Sequence, residues 1–207
     1  SSSTPHNIMF SSLFQGFLLG LSLILVIGAQ NAFVLKQGLK GQHVFWVCFV
    51  CAFSDALLIA LGVFGLSAVE ALVPEFAAMA RYFGAAFLFF YGAKSFLNAY
   101  KQRNSLEPKG DRGTSLSAAL CTATALTWLN PHVYLDTVIL LGSMALQYGE
   151  QAYFFGVGAI AGSFVFFFSL GYGATFLRPL FAKPATWVAL EITIGLVMWT
   201  LAINLMR

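Results

Sequence analysis

Two carboxylates, Asp55 and Asp136, each stand in the middle of a stretch that is otherwise as apolar as lipid. A charged side chain at the centre of a membrane-spanning helix costs about 2.5–3.5 kcal/mol on insertion scales, so it is retained where it faces water, a partner or a transport pathway. A carboxylate in such a place tends to neutrality until a cation arrives beside it, and a proton and a cationic substrate then compete for the same group. That competition is the physical core of an antiporter. Amides and helix breakers accompany both acids: Gly28 precedes Gln30 and Asn31, and Asn130-Pro131 precedes Asp136. Pro131 lacks a backbone donor and clashes with the preceding turn, which predicts a kink or unwinding at membrane depth. The carbonyls so freed need a neighbour, water or ligand, because lipid offers no donor. His132 lies one helical turn before Asp136, as a proton relay or as a neutral partner of that acid. Ser54 and Tyr134 are accessory candidates, and Lys94 is the one cation at comparable depth that could pair with Asp136.

The rest of the chain reads as the scaffold that would hold these groups in a bilayer. Of its 207 residues, 59% are hydrophobic and only 9% charged, against about 25% charged in an average soluble domain. The basic residues are not clustered on an aromatic-interleaved face, so nucleic acid is not an expected partner. No metal-ligand spacing, phosphate loop or nucleophile elbow occurs, so neither cofactor nor enzymatic chemistry is expected. Cys48 and Cys51 spell a C-x-x-C on an apolar helix without polar neighbours to activate a thiol, and Cys121 lies in another run. They read as small buried hydrophobes.

Six apolar runs of spanning length follow one another: 10–35, 44–69, 76–99, 117–146, 153–177 and 186–206. The fold expected is an all-α integral membrane protein, a single transporter domain over 10–207 behind a disordered N-terminal extension, 1–9. The first run is too long, and lacks the flanks, to be a cleaved signal peptide. The polar, turn-rich segment 101–115 divides the chain into halves of about 10–100 and 116–207, each opening with a helix that carries an amide cluster at depth. Three spans per half make the halves inverted in the membrane, the 3+3 architecture of many secondary transporters, whose site lies where interrupted helices meet near the midplane. Lys36, Lys40, Lys101, Arg103, Lys109, Arg112, Arg178 and Lys183 then fall on one face, and Arg81 and Arg207 on the other. The positive-inside rule makes the first face cytoplasmic and the C-terminus periplasmic. The N-terminus is periplasmic too, provided the first run spans. Gly16-xxx-Gly20 and Gly158-xxx-Gly162 read as helix contacts within the chain rather than a dimer seam; the oligomeric state stays open.

The strings Gly28-Ala-Gln-Asn-Ala-Phe-Val-Leu-Lys-Gln-Gly38, Ser54-Asp55, Tyr91-Gly-Ala-Lys94 and Thr127-Trp-Leu-Asn-Pro-His-Val-Tyr-Leu-Asp-Thr137 closely resemble the L-lysine exporter family, best its lysine and arginine branch. The resemblance runs over essentially all of 10–207. It implies export of L-lysine and/or L-arginine across a bacterial inner membrane, driven by protons or another coupling ion. It maps the family's paired aspartates onto Asp55 and Asp136, and its amide and proline positions onto Gln30, Asn31, Asn130 and Pro131. The aspartates and the three amides are the expected substrate and proton-coupling residues, with the amides and the half-helix N-termini as partners of the α-carboxylate. One departure is Ala29, where family members typically carry proline, which questions how sharply the first helix breaks. Three alternatives stand beside this reading: a neutral-amino-acid exporter of the related branch, an inorganic cation transporter, and a membrane thiol–disulfide electron carrier. The last needs cysteines on both repeat-opening helices, and the first helix has none.

Overall fold

The computed structural model describes residues 4–25, 28–103 and 114–207. Among them the chain is helical, with no strand. In order come α1 (Pro5–Ile24), α2 (Ala29–Lys40), α3 (Val44–Val69), α4 (Val73–Arg103), α5 (Leu116–Trp128) and α6 (Pro131–Tyr134). A π-helical segment (Leu135–Leu141), α7 (Gly142–Ala145) and a 3₁₀ segment (Leu146–Gln151) lead into α8 (Ala152–Gly173). A second 3₁₀ segment (Ala174–Ala182) precedes α9 (Pro184–Leu205). Five described stretches are long and apolar enough to cross a membrane: Pro5–Ile24, Val44–Val69, Val73–Arg103, Pro131–Ala182 and Pro184–Leu205, with Leu116–Trp128 shorter. The chain is an all-α integral membrane protein.

The stretch from Pro131 to Ala182 is not one rod. Gly149, at φ 53° and ψ −119°, turns the chain back. Gly142 before it packs on Gly62 of α3, and Gly156 after it packs on the adjacent Val63. In a straight helix those two glycines would lie about 21 Å apart.

The first and the fourth expected runs are broken in two, and the second kinks at Gly65 near its end. The first ends α1 at Ile24 and resumes at Ala29, with Gly28 extended at φ −133° and ψ −177°. The fourth ends α5 at Trp128 and resumes at Pro131, where proline's fixed φ suits the first helical position. The break at Gly28 forms although the family's proline is Ala29 here. α1 begins at Pro5, again with proline opening the helix, inside the stretch 1–9 expected as an N-terminal extension. Gln102 and Arg103 belong to α4, and residues 104–113 of the expected loop, with Lys109 and Arg112, lie outside the described residues.

Packing is exchanged between the halves. α1 and α2 lie on α8, while α5, the π-helical segment and α7 lie on α3; α3 packs on α8 and α4 on α9. Each broken helix thus rests on the second span of the other half. The α1–α8 seam is made by the two small-residue motifs, which face each other. A side chain on Gly16 would run into the backbone carbonyl of Phe155, and one on Gly158 into that of Leu13. Gly16→Leu is expected to destabilise the protein by about 1–3 kcal/mol or more through overpacking. Gly173→Leu, whose added carbon meets nothing within 4 Å, serves as the neutral control, and the thermal midpoint in detergent reads both.

Among the described basic residues, two groups mark the two ends of the bundle. At one, Lys40 Nζ donates to Thr114 Oγ1 at 2.9 Å and Arg178 Nη2 donates to the Lys40 carbonyl at 3.4 Å. At the other, Arg81 holds the C-terminal end of α9, its Nη2 donating to the Arg207 carbonyl at 2.7 Å. Lys36 is the exception. It is not a surface charge but a buried partner of Glu191, with Nζ 2.7 Å from Oε1.

Candidate functional site

Where a helix is interrupted in a low-dielectric region, its loose backbone groups have to be satisfied locally. At the first break the Asn31 side chain does this, Nδ2 donating to the Ile24 carbonyl at 2.8 Å. At the second, Tyr134 Oη donates to the Trp128 carbonyl at 2.6 Å, and Asn130 Oδ1 accepts the His132 N–H at 3.1 Å. Asn31, Asn130 and Tyr134 therefore stabilise the interruptions themselves.

The two breaks meet. Gln30 Nε2, in the first turn of α2, donates to Thr127 Oγ1, in the last turn of α5, at 2.7 Å. Both side chains are buried. α2 and α5 each run about 18–20 Å from this junction to the Lys40 end of the bundle, which puts the junction near the middle of a hydrocarbon core about 30 Å thick. α3 supplies the third wall. Ser54 Oγ accepts from Trp128 Nε1 at 3.1 Å, and Asp55 beside it is 3% exposed. The Gln30 amide lies beside the Asp55 carboxyl, and Oδ1 of Asp55 has no hydrogen-bond partner among the described residues.

A cavity of about 310 Å³ opens from this junction. Gly28, Gln30, Asn31, Asp55, Asn130, His132 and Asp136 all line it, so the residues singled out from the sequence converge on one space. Asp136 lies on the π-helical segment and is half-buried. Segments of π-helix recur at functional sites; this one packs tightly on α3, where a Cβ on Gly62 would lie 2.6 Å from the Val138 carbonyl oxygen. Among the described residues, no Lys or Arg lines it. Pro131, Ser54, Tyr134 and Lys94 do not line the cavity. The first three brace the break beside it, Ser54 and Tyr134 through Trp128, while Lys94 is exposed on α4 and does not line the cavity opposite Asp136.

The cavity lies on one side of the junction. α4 and α9 contribute Gly84, Leu201, Asn204 and Leu205, all toward the Arg207 end. The opposite side is closed by α2 against α9 and contains the Lys36–Glu191 pair, whose side chains are 4% and 1% exposed. This pair escaped the sequence reading. Glu191 carried the same signal as Asp55, an acid inside an apolar run, but nothing in the sequence links it to a lysine on α2. Thr127 and Asn204 were likewise missed; their residue types fit any membrane helix. Removing one member of a buried pair leaves an uncompensated charge, typically destabilising by about 3–5 kcal/mol, whereas apolar replacement of both is often neutral. Lys36→Met is expected to lower the thermal midpoint sharply, and Lys36→Met with Glu191→Leu to restore most of it. Cys48 and Cys51 are buried free thiols and Cys121 an exposed one.

The family model described as LysE type translocator matches residues 21–207. The chain belongs to that family. It is similar to the arginine exporter protein ArgO of Escherichia coli (strain K12), with 38% identity over 200 residues, covering 96% of this chain and 95% of the relative. The same identity and coverage relate it to the ArgO proteins of Klebsiella pneumoniae (strain 342) and Salmonella typhimurium (strain LT2). No solved structure matches. This translocator is a multi-pass membrane protein by family and by its apolar helices.

Proposed function

We propose that this translocator exports basic L-amino acids, L-arginine and/or L-lysine, across the bacterial inner membrane by proton antiport. The observation that carries the reading is a midplane cavity faced by two carboxylates and, among the described residues, no lysine or arginine side chain. An excess of negative charge in a low-dielectric space selects a cation, and about 310 Å³ falls within the range of pockets for small organic ligands. The relatives named arginine exporters support the same class.

In this reading Asp55 and Asp136 are the cation and proton sites, Gln30, Asn31 and Asn130 hold the interrupted helices in register, and Gly28 and Pro131 provide the interruptions. The chain is one transporter domain whose halves, about 10–100 and 116–207, are inverted repeats, a division that the exchanged packing supports. The Lys40 and Arg178 end is cytoplasmic and the Arg207 end periplasmic, by the excess of basic residues that remains once Lys36 is removed from the count. The cavity then faces outward, and the sealed side around Lys36 and Glu191 must part for loading from the cytoplasm. Counterflow in proteoliposomes tests the reading. Labelled arginine and lysine are expected to exchange, and threonine to fail to compete. Exchange of threonine without arginine or lysine would transfer the protein to the neutral branch.

A further inference from the structure

We propose that the cavity takes its amino acid in one orientation, with the α-ammonium at Asp55, the α-carboxylate at the N-terminal end of α2, and the side-chain cation at Asp136. This rests on the basic-amino-acid reading and divides the two aspartates by task. Both breaks present the start of a helix to the cavity, but not equally. α6 is a single turn, and Asn130 already accepts its His132 N–H. α2 has 12 residues, and its N-cap, Gly28, has no side chain to accept the first-turn N–H groups. Such an end favours an anion through its donors and its partial positive charge.

An independent feature points to a ligand at the same place. Asp55 is 3% exposed and lines the cavity, and its Oδ1 lacks a hydrogen-bond partner among the described residues. A buried acceptor left unsatisfied is destabilising unless something fills it. Gln30, in the first turn of α2, lies beside the same carboxyl, so the open acceptor and the N-terminal end of α2 are neighbours. An amino acid carries its ammonium and carboxylate on one carbon and needs an acceptor and donors side by side. Asp55 with α2 supplies that pair. Asp136 does not: it stands on the π-helical segment beyond the capped break, half-buried, with His132 near it. An acceptor without adjoining anion donors suits the far end of the side chain. Asp55 thus recognises an amino acid, and Asp136 recognises that it is basic.

The probes are arginine, citrulline as its uncharged isostere, and agmatine as arginine without the α-carboxylate. Binding is measured to the purified full chain in detergent. The unmodified protein is expected to prefer arginine over both analogues by tenfold or more. Asp136→Asn is expected to bind citrulline at least as well as arginine, and Asp55→Asn to bind none of the three. Agmatine matching arginine on the unmodified protein would overturn the carboxylate assignment, and needs no variant to fold. An arginine-over-citrulline preference that survives Asp136→Asn, or that vanishes in Asp55→Asn with citrulline still bound, would overturn the division of tasks. Should the unmodified protein bind neither arginine nor lysine, the exporter reading itself fails and the orientation with it.

Discussion

Asp55→Asn and Asp136→Asn are each expected to abolish export of arginine and lysine while the protein still inserts and folds. Asparagine keeps the size of the side chain and much of its hydrogen bonding, so the Gln30 contact and the packing of α3 have no reason to fail. What disappears is the negative charge facing the cavity. One cationic group of the substrate, the α-ammonium at Asp55 or the side-chain cation at Asp136, then enters a low-dielectric space without its counter-charge, and the uncompensated charge costs several kcal/mol, enough to suppress occupancy by orders of magnitude. Alanine at either position would mix this effect with a cavity and a lost hydrogen bond, which is why the amide is the sharper probe. Rates in proteoliposomes, with thermal midpoints measured on the same preparations, separate lost transport from lost fold. Normal export by either folded variant would remove that aspartate from the mechanism.

Arginine affinity is expected to fall as pH drops from about 8 to 5, and arginine binding to expel protons. The substrate is not the titrating partner, since a guanidinium stays charged throughout this range and a lysine ammonium titrates near 10.4. The sign therefore follows from the protein. Protonating either aspartate removes the charge that holds the cation, so acid weakens binding, and by linkage the cation drives the proton off with the same coupling energy. Facing a more acidic exterior, the loaded cavity would release its amino acid and take up a proton. The groups around Asp55 are Gln30, Thr127 and the Cys51 thiol, none of which gains positive charge on acidification. His132 is the imidazole that lines the cavity near Asp136. His132→Gln is accordingly measured in parallel, and the pH dependence is expected to persist in it. Affinity flat over the range, with no protons released on mixing, would leave facilitated diffusion or another coupling ion.

Much of this protein was determined by local chemistry and is visible in the chain itself. Acids inside apolar runs, a proline beside an asparagine at membrane depth, and glycines four residues apart act through the backbone and through transfer from water. Their consequences need no knowledge of the neighbours. Hence the membrane class, the break at Pro131 and the use of Gly16-xxx-Gly20 and Gly158-xxx-Gly162 as packing faces follow from sequence, whereas it took the tertiary structure to set those two faces against each other. The tertiary structure decided which polar groups answer each other. Gln30 with Thr127, Trp128 with Ser54 and Lys36 with Glu191 are pairs between helices far apart in the chain. It also decided that Asn31 and Asn130 hydrogen-bond across the breaks, that Asp136 rides on a π-helical segment, and that Lys94 is exposed on α4. In a soluble helix an apolar stripe announces the face that turns inward. Here lipid is as apolar as the interior of the bundle, so hydropathy records that a helix spans but not how it is rotated or what its polar side chains will meet.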